Sequence, residues 1–241
     1  MTSFSDSFLS ALDEWQRGWR EDQTKREELA GRLEPEALAL PAKFRSVAGL
    51  CYRKRFLHLG DFEQVLMFDR KEEGLVSWTT SLPYAETFKG LKKPDAVCAA
   101  IFEHTPAEDE VILNIEELWA DAHFVQAAED FRQRNPGLSA ALFHFQERQG
   151  EVILRAPLRG SEIIRLTGTS SDFDELCERA GIPEADRDAH FQRLVETGNV
   201  PGDLRYIDTE QSRRAVKRTI QKMHDKVQSL LAQHIAGKPG H

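Results

Sequence analysis

The segment "RQGEVILRAPLRGSEIIRLTG" runs from Arg148 to Gly168. Its two short apolar runs, EVIL and EIIRL, are separated by a loop that contains proline and glycine, a pattern that predicts two successive strands. Gln149 and Glu151 stand two residues apart, so both side chains project from one face if the backbone is extended. The same tetrapeptide EVIL occurs again in "AEDEVILNIEEL", from Ala107 to Leu118.

Working outward, similar runs predict further strands before this pair. They are "FRSVAGLCYRKRFLHL" (44–59), the first part of "GLVSWTTSLPYAETFKG" (74–90), "AVCAAIFEH" (96–104), "DEVILNI" (109–115) and "AALFHFQ" (140–146). The segment "DFEQVLMF" (61–68) is read as a short helix or turn, and a helix is expected to begin near Tyr84. "EELWADAHFVQAAEDFRQRN" (116–135) is predicted to be one strong helix, ended by the Pro-Gly pair that follows it.

Both ends of the chain are predicted to be helical. Residues 5–40 place an apolar stripe at spacings of 4, 3 and 4, formed by Phe8, Leu12, Trp15 and Trp19. After residue 168 come two shorter helices and a long one with an apolar seam, Val216, Ile220, Met223, Val227 and Leu230. The sequence therefore predicts an α+β fold in three regions: a helical region 1–42, a strand-rich core 43–168 and a helical region 169–241.

Composition narrows the class of protein. Of the 241 residues 40% are apolar and 30% are charged, which is typical of a globular domain. Neither a membrane span nor a secretory signal is recognisable, and three scattered cysteines suit a reducing cytoplasm. The net charge of −8 argues against passive binding of polyanions by the whole chain. From residue 211 onward, however, seven Lys or Arg face one acidic residue, which suits either contact with nucleic acid or an acidic partner, or a solvated helix face.

Common catalytic motifs are missing from the sequence. It contains no phosphate-binding G-x-x-x-x-G-K-[ST], no dinucleotide G-x-G-x-x-G and no G-x-S-x-G elbow. The eight histidines show no H-E-x-x-H or H-x-H spacing, so no metal site is predicted.

Three polar features remain on the predicted strands. The first is the aromatic–arginine pair Tyr52-Arg53 within "LCYRKRF". The second is "SWTTSLPYAETF", which gives Ser77, Trp78 and Thr79 and then a helix with Ala-x-x-Phe. The third is the pair Gln149 and Glu151 in "RQGEVIL".

In this order the three features resemble the arginine–serine–glutamate class of the ADP-ribosyltransferase superfamily, that of the cholera-like and clostridial binary toxins. That family carries an aromatic-Arg strand, then a Ser-Thr-Ser strand followed by an Ala-x-x-Phe helix, and last a Glu/Gln-x-Glu at the start of an "EVLL"-type strand. The resemblance covers residues 44–168, about half of the chain, and implies a split β-sandwich core flanked by helices. Two departures stand out, since Trp78 and Thr79 replace the last two residues of Ser-Thr-Ser.

Alternatives exist for two positions. Arg45 lies near Arg53 on the same stretch, and Arg55 would share a strand face with Arg53 as a helper; Arg53 is favoured because it follows an aromatic residue in a well-formed apolar run. Glu110 formally mimics the glutamate motif, but its strand leads directly into a helix. Glu151 is favoured because a short turn and another strand follow it, as in the family.

The resemblance implies an activity and a role for each residue. ADP-ribose would move from NAD, as co-substrate, to a macromolecular acceptor, with Glu151 stabilising the positive charge on the ribose. Gln149 would orient the acceptor and Ser77 would hold the glutamate. Arg53 would bind the NAD pyrophosphate through its planar fork, while Ser77, Trp78 and Thr79 would line the nicotinamide pocket.

The acceptor stays open between protein and nucleic acid, and a protein partner on the helical ends is possible. An intracellular toxin in the cytoplasm, without membrane contact, would suit the family. Two other readings remain: a NAD glycohydrolase on the same fold, and a catalytically degenerate module that binds a partner.

Overall fold

The fold was analysed on a computed structural model, which describes residues 4–19, 22–93, 95–144, 150–168, 172–197 and 204–236. It confirms the α+β class: within these described residues, seven strands pair in antiparallel fashion and helices make up the rest of the regular structure. The chain divides into two compact units that interleave along the sequence. The proposed three-region division remains a prediction of the sequence.

Unit 1 comprises Met1–Arg53, Glu72–Phe88 and Glu103–Pro157. Its helices are α1 (Asp6–Arg17), α2 (Gln23–Leu38), α3 (Leu82–Thr87), α4 (Ile115–Ala120), α5 (Ala122–Arg134) and α6 (Ala140–His144). The first begins where Ser5 Oγ accepts the N–H of Phe8, a normal N-cap. Three residues of the predicted stripe lie on its buried face, Phe8, Leu12 and Trp15, each at most 1% exposed, whereas Trp19 lies beyond the end of the helix.

The strands of unit 1 lie in the order β4 (Val111–Asn114), β5 (Glu151–Leu154), β2 (Val76–Thr79) and the beginning of β1 (Cys51–Leu57). The pairing of β2 with β5 aligns Ser77 with Ile153 and Thr79 with Glu151. Tyr52 of β1 lies opposite Thr79. Three segments that are far apart in sequence thus become neighbours.

Unit 2 comprises Lys54–Lys71, Lys89–Phe102 and Leu158–His241. It holds the rest of β1, most of β3 (Cys98–His104), then β6 (Ile163–Gly168) and β7 (Arg205–Tyr206), with β6 between β3 and β7. Its helices are α7 (Asp172–Arg179), α8 (Glu184–Glu196) and α9 (Thr209–Ala236), and "DFEQVLMF" forms the expected short helical turn. Within the parts of the chain that the structure describes, no helix has the length and apolarity that a bilayer crossing requires.

Three sequence predictions were wrong in detail. "AALFHFQ" is not a strand, because its described part forms α6, whose first N–H groups, those of Ala141 and Leu142, donate to Asp13 Oδ1. The helix predicted for 116–135 is two helices, since Asp121 ends α4 and caps α5 by accepting from the next two N–H groups. The strand predicted for 44–59 is shorter, because residues 42–45 form a 3₁₀ turn before β1.

Candidate active site

One face of β2 and β5 brings together two of the predicted site residues. Side chains alternate along a strand, so Ser77 and Thr79 point to one face and Trp78 to the other. Glu151 lies opposite Thr79, which places it on the face of Ser77. The Ser77 hydroxyl donates to Glu151 Oε1 at 2.5 Å, a short charge-assisted bond if the acid is ionised.

Two residues of α1 complete this cluster. Trp15 Nε1 donates to Ser77 Oγ at 3.1 Å, and Gln16 Nε2 donates to Glu151 Oε2 at 3.3 Å. Both carboxylate oxygens of Glu151 therefore have a hydrogen-bond donor. We call Trp15, Gln16, Ser77 and Glu151 the glutamate network.

Burial dominates the electrostatics of Glu151, whose side chain lies inside unit 1 with the residue only 8% exposed. Burial raises the pKa of Glu151 and outweighs the hydrogen bonds from Ser77, Gln16 and Trp15, which lower it. The charge of Glu151 is felt by Tyr84 on α3, because burial and then this charge raise the pKa of Tyr84. A carboxylate held by neutral donors in an enclosed place is suited to stabilising a cation brought to it.

Arg53, on β1, contacts β2 and the segment that precedes it. Its Nη1 donates to the main-chain carbonyl of Ser77 at 2.6 Å, and its Nε donates to Glu73 Oε2 at 2.8 Å. Glu73 is 3% exposed, so this is a buried ion pair. The pair fixes the plane of the guanidinium next to the serine of the motif.

The two alternative arginines lie elsewhere. Arg45 belongs to the 3₁₀ turn before β1, where its Nε is buried and has no hydrogen-bond partner among the described residues. Arg55 belongs to unit 2. There burial would raise the pKa of Asp61, but Lys71, the N–H of His58 and the charge of Arg55 together lower it.

The side chains of Trp78 and Thr79 point to opposite faces of β2. Trp78 is 2% exposed and its ring lies 5.5 Å from that of His104, within the core on the face away from Ser77. The structure thus does not bring Trp78 together with Glu151. Thr79 lies on the Glu151 face, and its Oγ1 accepts the N–H of Ser81 at 3.0 Å, which supports the turn into α3.

The glycine before Glu151 lies in close contact with Thr80. Gly150 has φ of +50°, and a Cβ there would lie 2.2 Å from Thr80 Oγ1. Its carbonyl accepts the N–H of Thr80 at 2.9 Å, so the backbones meet closely at this point. Gln149, the predicted acceptor-orienting residue, lies outside the described residues.

Glu110, the rejected alternative, is engaged in structure. Its Oε2 lies 2.8 Å from His104 Nε2 and accepts the N–H of Ala107 at 2.8 Å. It closes the 3₁₀ turn that precedes β4 rather than facing Ser77. Its side chain is 23% exposed and paired with histidine.

Sequence reasoning missed Gln16, Glu73 and Asp13, and it saw Trp15 only as part of an apolar stripe. The signal for Asp13 and Gln16 was available, because both are polar residues beside a buried stripe and both are at least 92% buried. Asp13 caps α6, the helix that precedes the segment leading to Glu151. Its contacts, like those of Gln16, span more than 120 residues of sequence.

Comparisons of the chain with protein-family models, with curated proteins and with solved structures find no match. Among the residues that the structure describes, no group of three or more His, Cys, Asp or Glu is placed to hold a metal ion. The functional assignment therefore has to be argued from the arrangement around Glu151.

Proposed function

We propose that this protein is a mono-ADP-ribosyltransferase that moves ADP-ribose from NAD to a macromolecular acceptor, protein or nucleic acid. One observation carries the proposal. The arginine, serine and glutamate on which the family resemblance rests are linked by hydrogen bonds: Arg53 donates to the carbonyl of Ser77, and the hydroxyl of Ser77 donates to Glu151. They come from three strands that are separated by 24 and 74 residues in sequence.

The chemistry of the residues fits the first half of such a reaction. When the bond between the ribose C1′ and nicotinamide breaks, its electron pair leaves with nicotinamide and positive charge develops on the ribose. An ionised Glu151 would stabilise that charge strongly, because the buried site screens it less than water does. An acceptor nucleophile then forms the new bond to C1′ and releases its proton to water.

Arg53 would supply the phosphate contact, since a guanidinium offers paired donors in a fixed plane. Glu73 and the Ser77 carbonyl hold that plane in place, and 11% of the Arg53 side chain is exposed. Glu73 also offsets part of the positive charge. Because Trp78 points away from Glu151, it would not line the nicotinamide pocket. Thr79, the motif residue on the same face as Glu151, would line it instead.

The test is incubation of the purified protein with NAD labelled in the adenosine part and a bacterial lysate, beside Glu151→Gln. Label that enters the protein or the nucleic-acid fraction, and that is lost in the variant, would support a transferase and name the acceptor class. Nicotinamide release without transfer of label would point to a NAD glycohydrolase instead. If the wild type neither transfers label nor releases nicotinamide, the proposal is wrong and a partner-binding module becomes the better description.

A further inference from the structure

The N-terminal helix lies at the centre of the site, although the sequence placed it outside the catalytic core. Two successive residues of α1 donate to the two polar groups that matter, Trp15 to Ser77 and Gln16 to Glu151. Both donors are buried, Trp15 at 1% and Gln16 at 8% exposure. The two donors therefore act on different groups, Trp15 on the Ser77 hydroxyl and Gln16 on the Glu151 carboxylate.

Trp15 decides where the Ser77 proton points. A serine hydroxyl has one proton to donate and can accept on its oxygen, whereas the indole N–H can only donate. Because Trp15 donates to Ser77 Oγ, the hydroxyl proton is left for Glu151 Oε1. The chain of bonds runs in one direction, and each bond polarises the next.

Gln16 holds the second oxygen of the same carboxylate. With Ser77 on Oε1 and Gln16 on Oε2, rotation of the Glu151 carboxylate about its terminal bond would break both hydrogen bonds. The amide oxygen of Gln16 is buried and has no hydrogen-bond partner among the described residues. An unpaired buried acceptor costs stability, and an apolar residue of similar shape would not carry that cost. That cost is set against the hydrogen bond that Nε2 donates to Glu151, whose Oε2 would lose this donor if the amide were removed.

We infer that Trp15 and Gln16 are positioning residues, which hold Ser77 and Glu151 in the arrangement that the transfer reaction uses. The inference rests on the proposed function for its catalytic meaning. It makes α1 a part of the active site, and it predicts that losing either donor lowers kcat more than it raises the KM for NAD.

Three full-length variants test this inference. Gln16→Met keeps the shape and removes the amide, Trp15→Phe keeps an aromatic ring and removes the N–H, and Trp19→Phe is the matched control. Trp19 packs beside Trp15 with ring centroids 5.1 Å apart. Loss of a hydrogen bond to a charged group is expected to lower kcat about tenfold in Gln16→Met. We expect Trp19→Phe to retain wild-type kcat, and the Tm of each variant, measured alongside, shows that it is folded.

A readout that does not depend on turnover is the titration of Glu151 itself. Carboxyl carbon NMR follows it, and Glu151→Gln identifies the signal by removing it. Because the two donors favour the ionised form, their removal should move this titration to higher pH in Gln16→Met and Trp15→Phe. Tyr84 and Arg53, the other titratable groups tied to the network, are the same in all three variants.

The outcomes separate the two proposals. If kcat and the Glu151 titration in Gln16→Met and Trp15→Phe match those of Trp19→Phe, the inference is overturned even if the enzyme is an active transferase. If the Glu151 titration shifts but the wild type neither consumes NAD nor transfers label, the proposed function fails while the hold of α1 on Glu151 stands.

Discussion

The two EVIL segments have the same sequence, lie side by side and yet serve different purposes. β4 and β5 pair antiparallel, with Val111 opposite Leu154, so their glutamates stand at opposite ends of one ladder. Glu110 is partly exposed, in the turn before β4, and contacts His104, whereas Glu151 is buried among neutral donors. The difference teaches that the local tetrapeptide sets the strand, while the neighbours brought by the fold set the chemistry of the carboxylate.

The largest expected contrast is in turnover. Glu151→Gln keeps the shape but removes the negative charge, and we expect the rate of nicotinamide release to fall more than about 100-fold. Glu110→Gln, the matched change in the sister segment, should leave the rate close to that of the wild type, because Glu110 does not reach Ser77. Steady-state release of nicotinamide from NAD measures both. A slow Glu110→Gln enzyme beside an active Glu151→Gln enzyme would reverse the assignment.

The glycine before Glu151 offers a second contrast, in stability, with a glycine elsewhere in the chain. Gly150→Ala introduces a Cβ at a positive φ and 2.2 Å from Thr80 Oγ1. We expect it to lower the free energy of unfolding by about 2 kcal/mol. Gly137→Ala is the control, since its φ is not positive and its Cβ would meet nothing within 4 Å. Urea denaturation compares them, and equal stability of the two variants would contradict the geometry described for Gly150.

The third contrast concerns pH. Because burial raises the pKa of Glu151, the folded state prefers the protonated acid, and the stability that it contributes is lost as the pH rises through its folded-state pKa. Glu151→Gln should therefore gain Tm relative to the wild type as the pH rises above 4.5, the ordinary pKa of the acid, and should show no such gain at more acidic pH. If the ionised acid is the active form, kcat should fall on the acidic side at a pH above the ordinary pKa of a glutamate, because the pKa of Glu151 is raised. A Tm difference that does not change with pH would argue against an enclosed, proton-retaining Glu151.

The smallest effect, on stability, is expected at Glu110. Glu110→Ala removes the contact with His104 and the bond from the Ala107 N–H, and should cost about 1 kcal/mol of unfolding free energy. Glu108→Ala, in the same acidic turn but exposed, is the control and should cost little. Chemical denaturation of both variants measures the difference. Equal stabilities would mean that the His104–Glu110 pair is not a stabilising contact.

Local pattern was enough for most of the elements, since strands and helices follow from periodicity and from caps near in sequence. It failed where a residue distant in sequence stabilises the element. The segment of α6 has the pattern of a strand, but Asp13 caps it as a helix. It also failed at Asp121, whose side chain divides a helical run that propensity alone would join.

The candidate site was predictable in part. Ser77 and Glu151 could be chosen by resemblance, but their contact depends on β2 pairing with β5, which no local signal encodes. Strand alternation could have warned that Trp78 faces away from Ser77. The parts played by Gln16 and Glu73 depend on packing across the unit and could not be predicted from spacing.

The bond between Gln16 and Glu151 joins residues 135 positions apart, and this separation has a consequence for how the protein is made. Synthesis runs at roughly 5–20 residues per second, so α1 leaves the ribosome several seconds before the strand that completes its buried face. During that interval the aromatic residues of α1 cannot yet pack against the strands that bury them in the folded protein. A chain that has not reached residue 151 lacks the glutamate network, so the proposed activity would begin only after that residue has been synthesised.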